Sequence, residues 1–183
     1  MGNPGPEYED TRHNAGFMFL DHLAARWRLS PFKRAGNARE TSGTIDGRRV
    51  RLIKPQTFMN RSGAALASLA GASDFDLAQH LLVAVDDVAT DVGRFRLRGA
   101  GSAGGQNGLR SIEAALRRQD YARLRIGVGP VPADVNDLAD YVLDAFTRGE
   151  RTAVQEQFET MAEAVECWAA DGIERAMTRF NRK

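Results

Sequence analysis

The stretch "LLVAVDD" (residues 81–87) decides the fold of this chain. Five apolar residues follow one another without a polar interruption and end in two aspartates. A continuous apolar run of this length is typical of a strand that is buried on both faces of a parallel sheet. In open α/β sheets, functional groups gather at the carboxyl ends of the strands. The run therefore predicts a buried parallel strand whose end carries the carboxylates of Asp86 and Asp87.

The segments around this strand alternate between strand-like and helix-like patterns. Apolar residues recur at helical spacing over residues 14–28, 134–145 and 150–181, and the small apolar stretch at 60–73 predicts a helix that packs closely against a sheet. Three further runs have the composition of strands: "VRLIKP" (50–55), "GRFRLR" (93–98) and "RLRIGVG" (123–129). We therefore predict an α/β fold, a three-layer α/β/α single domain over residues 1–183 with a mostly parallel mixed central sheet.

Length and composition fit an ordinary globular domain. The chain has 183 residues, of which 43% are hydrophobic and 27% charged. No apolar segment approaches the length of a membrane span, and no apolar region follows the start, so we expect a cytoplasmic protein. The one cysteine, Cys167, cannot form an internal disulfide, and no Cys/His cluster has the spacing of a zinc site. We interpret Cys167 as a core residue and predict no metal site.

The net charge of +1 hides two opposed blocks. Residues 91–130 hold eight arginines and three acids, whereas residues 131–174 hold eleven acids and two arginines. A basic block of this kind is compatible with a surface that binds a phosphate backbone. Charge alone also fits a solvated surface of mixed sign, and it favours this second interpretation.

The stretch "GAGSAG" (99–104) matches the glycine pattern of dinucleotide-binding folds. That pattern should follow a buried apolar strand, yet the preceding "GRFRLR" places arginine at every other position. A nicotinamide cofactor is therefore disfavoured. The better interpretation is a flexible glycine loop whose backbone approaches a ligand closely, flanked by arginines that hold phosphates.

His13 is the candidate general base, because the pKa of an unperturbed histidine lies nearest neutrality. Asp86 ends a buried strand and is available to orient the imidazole. His22 lies within a helical pattern and His80 in a loop, so neither is a candidate. No serine or cysteine lies in a nucleophile elbow, so a hydrolase of this sequence would activate water directly.

Several motifs occur together in one order along the chain. They are "GNPGPEYEDTRHNAGF" (2–17), "KPQTFMNRSG" (54–63), "VDDV" (85–88), "GSAGGQNGLRSI" (101–112) and "RLRIGVG" (123–129). In sequence and spacing, they closely resemble the bacterial peptidyl-tRNA hydrolase family over nearly the whole chain. The resemblance implies an esterase that cleaves the bond between a peptide, or an N-blocked aminoacyl group, and the 3′ ribose of tRNA, without a metal or an organic cofactor.

The resemblance also implies roles for individual residues. His13 would take a proton from water, Asp86 would orient His13, and Asn3 would favour N-blocked over free aminoacyl groups. The residues at positions where the family contacts the substrate end are Tyr8, Phe58, Asn60 and Asn107. Arg96 and Arg125 are at positions where the family binds the 5′ phosphate region of tRNA. The implied partner is peptidyl-tRNA, bound through its acceptor end and 5′ phosphate region, and the implied state is a monomer without a membrane partner.

The sequence departs from the family pattern at two places. Gln106 stands where the family usually has histidine, and glutamine donates and accepts hydrogen bonds but carries no charge. We expect Gln106 to position its neighbours rather than to move protons. Family members also carry a short apolar strand before the first motif, and here Met1 directly precedes Gly2. We therefore expect the first strand of the sheet to be missing from this sequence, with a misassigned start codon as the reason.

A second function remains open at this point. An RNA-binding splicing or translation factor could keep the fold without turnover. The presence of Asn3, His13, Asp86 and Asn107 favours the hydrolase, because a protein that only binds RNA needs no base with an orienting acid.

Overall fold

The computed structural model describes residues 1–69 and 75–181, and these residues form two three-stranded sheets. The strands are β1 (Lys33–Ala35), β2 (Ala38–Ile45), β3 (Arg48–Pro55), β4 (Leu82–Asp91), β5 (Phe95–Arg98) and β6 (Ala122–Gly129). The first sheet has the order β1-β2-β3 and is antiparallel throughout. In the second sheet, of order β4-β6-β5, β4 runs parallel to β6 and β5 runs antiparallel to it.

Seven α-helices accompany the strands in the described residues. They are α1 (Ala15–Arg26), α2 (Leu77–His80), α3 (Asn107–Leu116), α4 (Leu138–Leu143), α5 (Arg148–Glu156), α6 (Phe158–Asp171) and α7 (Ile173–Phe180). Short 3₁₀ helices lie at Pro6–Tyr8, Arg12–Asn14, Met59–Ala65 and Ala67–Leu69. Within residues 1–69 and 75–181, no helix is both long and apolar enough to cross a membrane.

The second sheet separates two apolar cores, because successive side chains of a strand point to opposite faces. Val83 and Val85 of β4 lie in a core with α3 and the 3₁₀ helix Met59–Ala65. Ala84 of β4 and Ile126 of β6 lie in the other core, with α1 and α6. Helices thus cover both faces of this sheet, and the predicted three-layer α/β/α fold with a mixed sheet is confirmed.

In the central sheet β4-β6-β5, β4 and β6 pair in parallel, and β5 pairs antiparallel with β6. The sheet β1-β2-β3 is antiparallel because of its connections. Two-residue turns at 36–37 and 46–47 join β1, β2 and β3, and so short a connection reverses the chain direction. Residues 1–4 form no strand, although the amino group of Met1 donates a hydrogen bond to the Ala84 carbonyl of β4.

Most of the predicted elements are present, with different boundaries. The long C-terminal helix is divided into α5, α6 and α7, with Gly172 at a φ of 87° between the last two. The stretch 60–73 forms 3₁₀ turns up to Leu69, and its remainder lies outside the described residues. The 3₁₀ helix Met59–Ala65 packs mainly against α3, and the N–H of Gly63 donates to Ser111 Oγ at 3.0 Å. Cys167 is buried, as predicted.

Candidate active site

His13 and Asp86 form the centre of the site. His13 lies in the 3₁₀ helix that immediately precedes α1, and Asp86 lies near the end of the apolar part of β4. The Nδ1 atom of His13 is 2.9 Å from Asp86 Oδ2, and the two side chains are 13% and 4% exposed. A carboxylate only accepts hydrogen bonds, so Nδ1 carries the proton in this pair. The Nε2 atom of neutral His13 is then an unprotonated acceptor.

Arg12 fixes the position of the segment that carries His13. Its Nη2 atom donates to both carboxylate oxygens of Glu150 in α5, at 3.1 and 2.9 Å. Its Nη1 atom donates to the Tyr141 carbonyl at 3.2 Å, and the guanidinium lies 4.4 Å from the centre of the Tyr141 ring. Charge-assisted hydrogen bonds of this kind are stronger than those between neutral groups. The residue directly before His13 is therefore anchored to both α4 and α5.

Gln106 holds the second oxygen of Asp86. Its Nε2 atom donates to Asp86 Oδ1 at 3.0 Å, while its Oε1 atom accepts from the N–H of Leu109 at 3.0 Å and so caps α3. Both ends of the amide are thus engaged. Asp86 accepts from His13 through one oxygen and from Gln106 through the other, which fixes the plane of the carboxylate.

Asn3 is clamped between two neighbouring segments. Its backbone N–H donates to Asn14 Oδ1 at 2.7 Å, and Asn14 Nδ2 donates back to the Asn3 carbonyl at 3.0 Å. The side-chain Oδ1 of Asn3 accepts from the N–H of Met59 at 2.8 Å. This assignment leaves the Asn3 NH₂ group as the part of the side chain that can donate to a ligand.

The four predicted substrate contacts lie on segments bordering this centre. The rings of Tyr8 and Phe58 meet edge to face, with centroids 6.4 Å apart, and Phe58 is 56% exposed. Asn60 is exposed in the 3₁₀ helix Met59–Ala65, whose first residue is the one held by Asn3. Asn107 is exposed at the first position of α3, directly after Gln106. Exposed aromatic and amide groups at these positions are available to a ligand.

Arg96 and Arg125 are cross-strand partners on β5 and β6, so their side chains share one face of the sheet. Arg125 lies 3.6 Å from Asp87 Oδ1 and donates to the Ser102 carbonyl at 3.4 Å. Arg96 is exposed. The two predicted phosphate-binding residues are therefore neighbours, and Asp87, next to Asp86 in sequence, connects them to the site.

The structure also assigns contacts to residues that were not among the predicted site residues. Arg12 and Asn14 flank His13 and fix the segments around it, and Gln106 orients Asp86. The sequence pointed to Asn14, because it follows His13 in a polar turn. The role of Arg12 could not be predicted from the sequence, because its partner Glu150 lies 138 residues further along the chain. In the described part of the chain, no group of three or more His, Cys, Asp or Glu residues is placed to hold a metal ion.

Comparisons with known proteins identify the family of this chain. The family model described as peptidyl-tRNA hydrolase matches residues 1–183. A peptidyl-tRNA hydrolase of Gemmatimonas aurantiaca is 46% identical over 100% of this chain and 97% of its own length. One of Elusimicrobium minutum is 45% identical over 100% of this chain and 96% of its own. A crystal structure of peptidyl-tRNA hydrolase from Acinetobacter baumannii superposes with a TM-score of 0.90 at 32% identity, covering 98% of this chain and 91% of that one. This chain belongs to the peptidyl-tRNA hydrolase family.

Proposed function

We propose that this protein hydrolyses peptidyl-tRNA at the ester bond between the peptide and the 3′ ribose, and so returns tRNA from aborted translation to use. The single observation that supports this most is the hydrogen bond of 2.9 Å between His13 Nδ1 and Asp86 Oδ2. It fixes a histidine tautomer whose Nε2 atom accepts a proton, which a base acting on water requires.

In the proposed reaction, Nε2 of His13 takes a proton from water while the water oxygen bonds to the ester carbonyl carbon. Asp86 stabilises the imidazolium that forms. The tetrahedral intermediate then breaks its bond to the ribose oxygen, which takes the proton from His13 and leaves as the free hydroxyl of tRNA. The peptide leaves as a carboxylic acid that carries the second proton of the water, and it becomes a carboxylate by releasing this proton to solvent. Protons and electrons balance without any further reactant.

Side-chain amides serve the substrate in this proposal. Asn3, Asn60 and Asn107 offer NH₂ donors for the developing oxyanion and for the peptide backbone. An amide recognises a peptide bond without reading the side chains beside it, which suits an enzyme that must accept any nascent peptide. Tyr8 and Phe58 offer an aromatic surface at the same border, on which a terminal base of tRNA can stack.

The remaining parts of the proposal concern recognition and assembly. Arg96 and Arg125 grip the 5′ phosphate region while the acceptor end enters the site, because a guanidinium matches phosphate geometry through its planar donor fork. tRNA is then read by shape and phosphates rather than by sequence. We further propose that residues 1–183 act as one domain, as a monomer, in the cytoplasm.

Deacylation of N-acetylaminoacyl-tRNA by the wild type and by His13→Ala tests the function. We expect the variant to lose at least about a hundredfold in kcat, because general-base catalysis contributes about 10²–10⁴. His22→Ala is the matched control, since His22 is a partly exposed histidine that pairs with Glu159 on the surface. Equal tRNA binding by both proteins with no turnover by the wild type would favour the RNA-binding factor instead.

A further inference from the structure

Strand β5 carries a row of exposed arginines on one face. Arg96 and Arg98 are exposed, whereas Leu97 between them is fully buried in the core beneath the sheet. Residues two apart on a strand point the same way and are about 6.8 Å apart along it. Neither Arg96 nor Arg98 forms an ion pair with an acid in residues 1–69 or 75–181. Their charges are therefore available to an external partner.

The backbone edge of β5 is closed at the centre of this row. Asn181, just after α7, accepts from the Leu97 N–H through Oδ1 at 2.8 Å and donates to the Leu97 carbonyl through Nδ2 at 2.9 Å. A partner strand cannot pair with the same two groups. What this edge offers to another molecule is guanidinium groups, which select anions, rather than a backbone ladder, which selects a peptide strand.

The cross-strand neighbour of Arg98 is Arg123, and it does not share this role. Arg123 is fully buried, lies 3.5 Å from Glu113 Oε1 and donates to the Gln119 carbonyl at 3.2 Å. Its charge is compensated inside the protein, so it leaves Arg98 as the exposed cation of that pair. Arg98 thus continues the line that begins with the pair Arg96 and Arg125.

The glycine stretch that follows Arg98 lies over the same face. A β-carbon at Gly104 would lie 3.5 Å from the guanidinium of Arg125, and one at Gly101 would lie 3.8 Å from that of Arg123. Both glycines have positive φ, at 58° and 138°, and both are exposed. Because these glycines have no side chains, another molecule can come close to the arginines on this face.

We propose that Arg98 is a further tRNA contact, which binds a backbone phosphate beyond the one held by Arg96 and Arg125. The partner is the RNA backbone of the tRNA body, away from the acceptor end where the ester lies. This inference rests on the proposed function, because it takes the same tRNA as its ligand. Arg98 acts in binding and not on the reacting atoms, so it lowers KM and leaves kcat unchanged.

Two measurements on the full chain test this proposal. The first is the salt dependence of the affinity for unacylated tRNA, compared between the wild type and Arg98→Gln. Loss of one phosphate contact should weaken binding about fivefold at low salt and reduce the slope of log Kd against log salt by about one. Arg49→Gln is the matched control, an exposed arginine on β3 in the other sheet, and it should leave the slope unchanged.

The second measurement compares two substrates, N-acetylaminoacyl-tRNA and the same aminoacyl ester on a CCA trinucleotide. Arg98→Gln should raise KM about fivefold on the whole tRNA, with kcat unchanged, and should not affect the trinucleotide. An unchanged salt slope, an equal loss for Arg49→Gln, or an equal loss on the trinucleotide would overturn the proposal. Failure of the proposed function would give a different result, because the wild type would then hydrolyse neither ester. The salt dependence of tRNA affinity would still show whether Arg98 contacts a phosphate.

Discussion

Gln106 Nε2 donates to Asp86 Oδ1 at 3.0 Å, on the carboxylate oxygen that His13 does not use. The same glutamine caps α3 through the Leu109 N–H. The carboxylate is therefore held from two sides, by the 3₁₀ helix that precedes α1 and by the first turn of α3. The orientation of the His13 ring depends on this arrangement, because the carboxylate offers one acceptor oxygen to each neighbour.

Asp86→Asn is expected to lower kcat by about a hundredfold or more while leaving the fold intact. An asparagine has one acceptor oxygen, so its NH₂ group must face a donor of either His13 or Gln106. The measurement is kcat for N-acetylaminoacyl-tRNA, with thermal unfolding as the check on folding. Asp87→Asn is the control, and it should change KM rather than kcat because Asp87 contacts Arg125. A kcat within tenfold of the wild type for Asp86→Asn would contradict the assigned role.

Gln106→His is expected to change kcat by less than about tenfold, or about 1.4 kcal/mol in the activation barrier. An imidazole N–H can still donate to Asp86, so the carboxylate keeps both partners. Gln106→Met is the comparison, because methionine cannot donate a hydrogen bond to Asp86 Oδ1. We expect Gln106→Met to lower kcat more than Gln106→His does. A gain of much more than tenfold with histidine would mean that proton transfer at position 106 limits this enzyme.

Gly63→Ala is expected to destabilise the protein by about 1–3 kcal/mol. A β-carbon at position 63 would lie 2.2 Å from the Ser111 carbonyl oxygen, so the 3₁₀ helix Met59–Ala65 would have to move away from α3. Gly149→Ala in α5 is the control, since nothing lies within 4 Å of the added carbon and alanine favours helix. Urea unfolding of both variants measures the difference, and equal stabilities would refute the close packing.

Glu166→Gln is expected to cost about 2 kcal/mol of stability at neutral pH and much less in acid. Glu166 accepts from Arg26 Nε at 2.9 Å and from Trp27 Nε1 at 2.8 Å, and the hydrogen bonds from Arg26 are the main cause that lowers its pKa below the usual 4.5. Because the pKa of Glu166 is lower in the folded state than in the unfolded state, ionised Glu166 stabilises the folded state above pH 4.5. This contribution is lost as the pH falls through the pKa that Glu166 has in the folded state.

Urea unfolding at pH 7 and pH 3 tests the prediction for Glu166. Glu163→Gln is the matched control, an exposed glutamate in the same helix, and it should have little effect at either pH. If Glu166→Gln lost the same free energy of unfolding at both values of pH, the ionised pair with Arg26 would not be the source of the stability.

The parts of the fold that local patterns determine could be predicted from the sequence. The apolar run of β4 and the helical spacing of α1 depend on residues close together in the chain, and both elements were found. β1 and β2 were not predicted, because their sequence is mainly polar and β1 is exposed throughout. Their pairing depends on partners across the sheet, which a single sequence does not reveal.

The candidate site shows the same division. His13 and Asp86 were predicted as a pair from residue type and family resemblance, and His13 Nδ1 lies 2.9 Å from Asp86 Oδ2. The salt bridge from Arg12 to Glu150 and the capping of α3 by Gln106 were not predicted, since each depends on where distant segments meet. The roles of these residues in binding and turnover stay predictions for the experiments above.

Asp86 and Asp87 are consecutive on β4, yet Asp86 contacts His13 and Asp87 contacts Arg125, on the face that we propose binds phosphate. If β4 slipped by a single residue, one of the two positions would hold valine, and the remaining carboxylate would lie at the place of its neighbour. Bond cleavage and RNA capture would then fail together. An insertion or deletion in β4 should therefore be more harmful than a change of either side chain alone, because the register of this strand positions both Asp86 and Asp87.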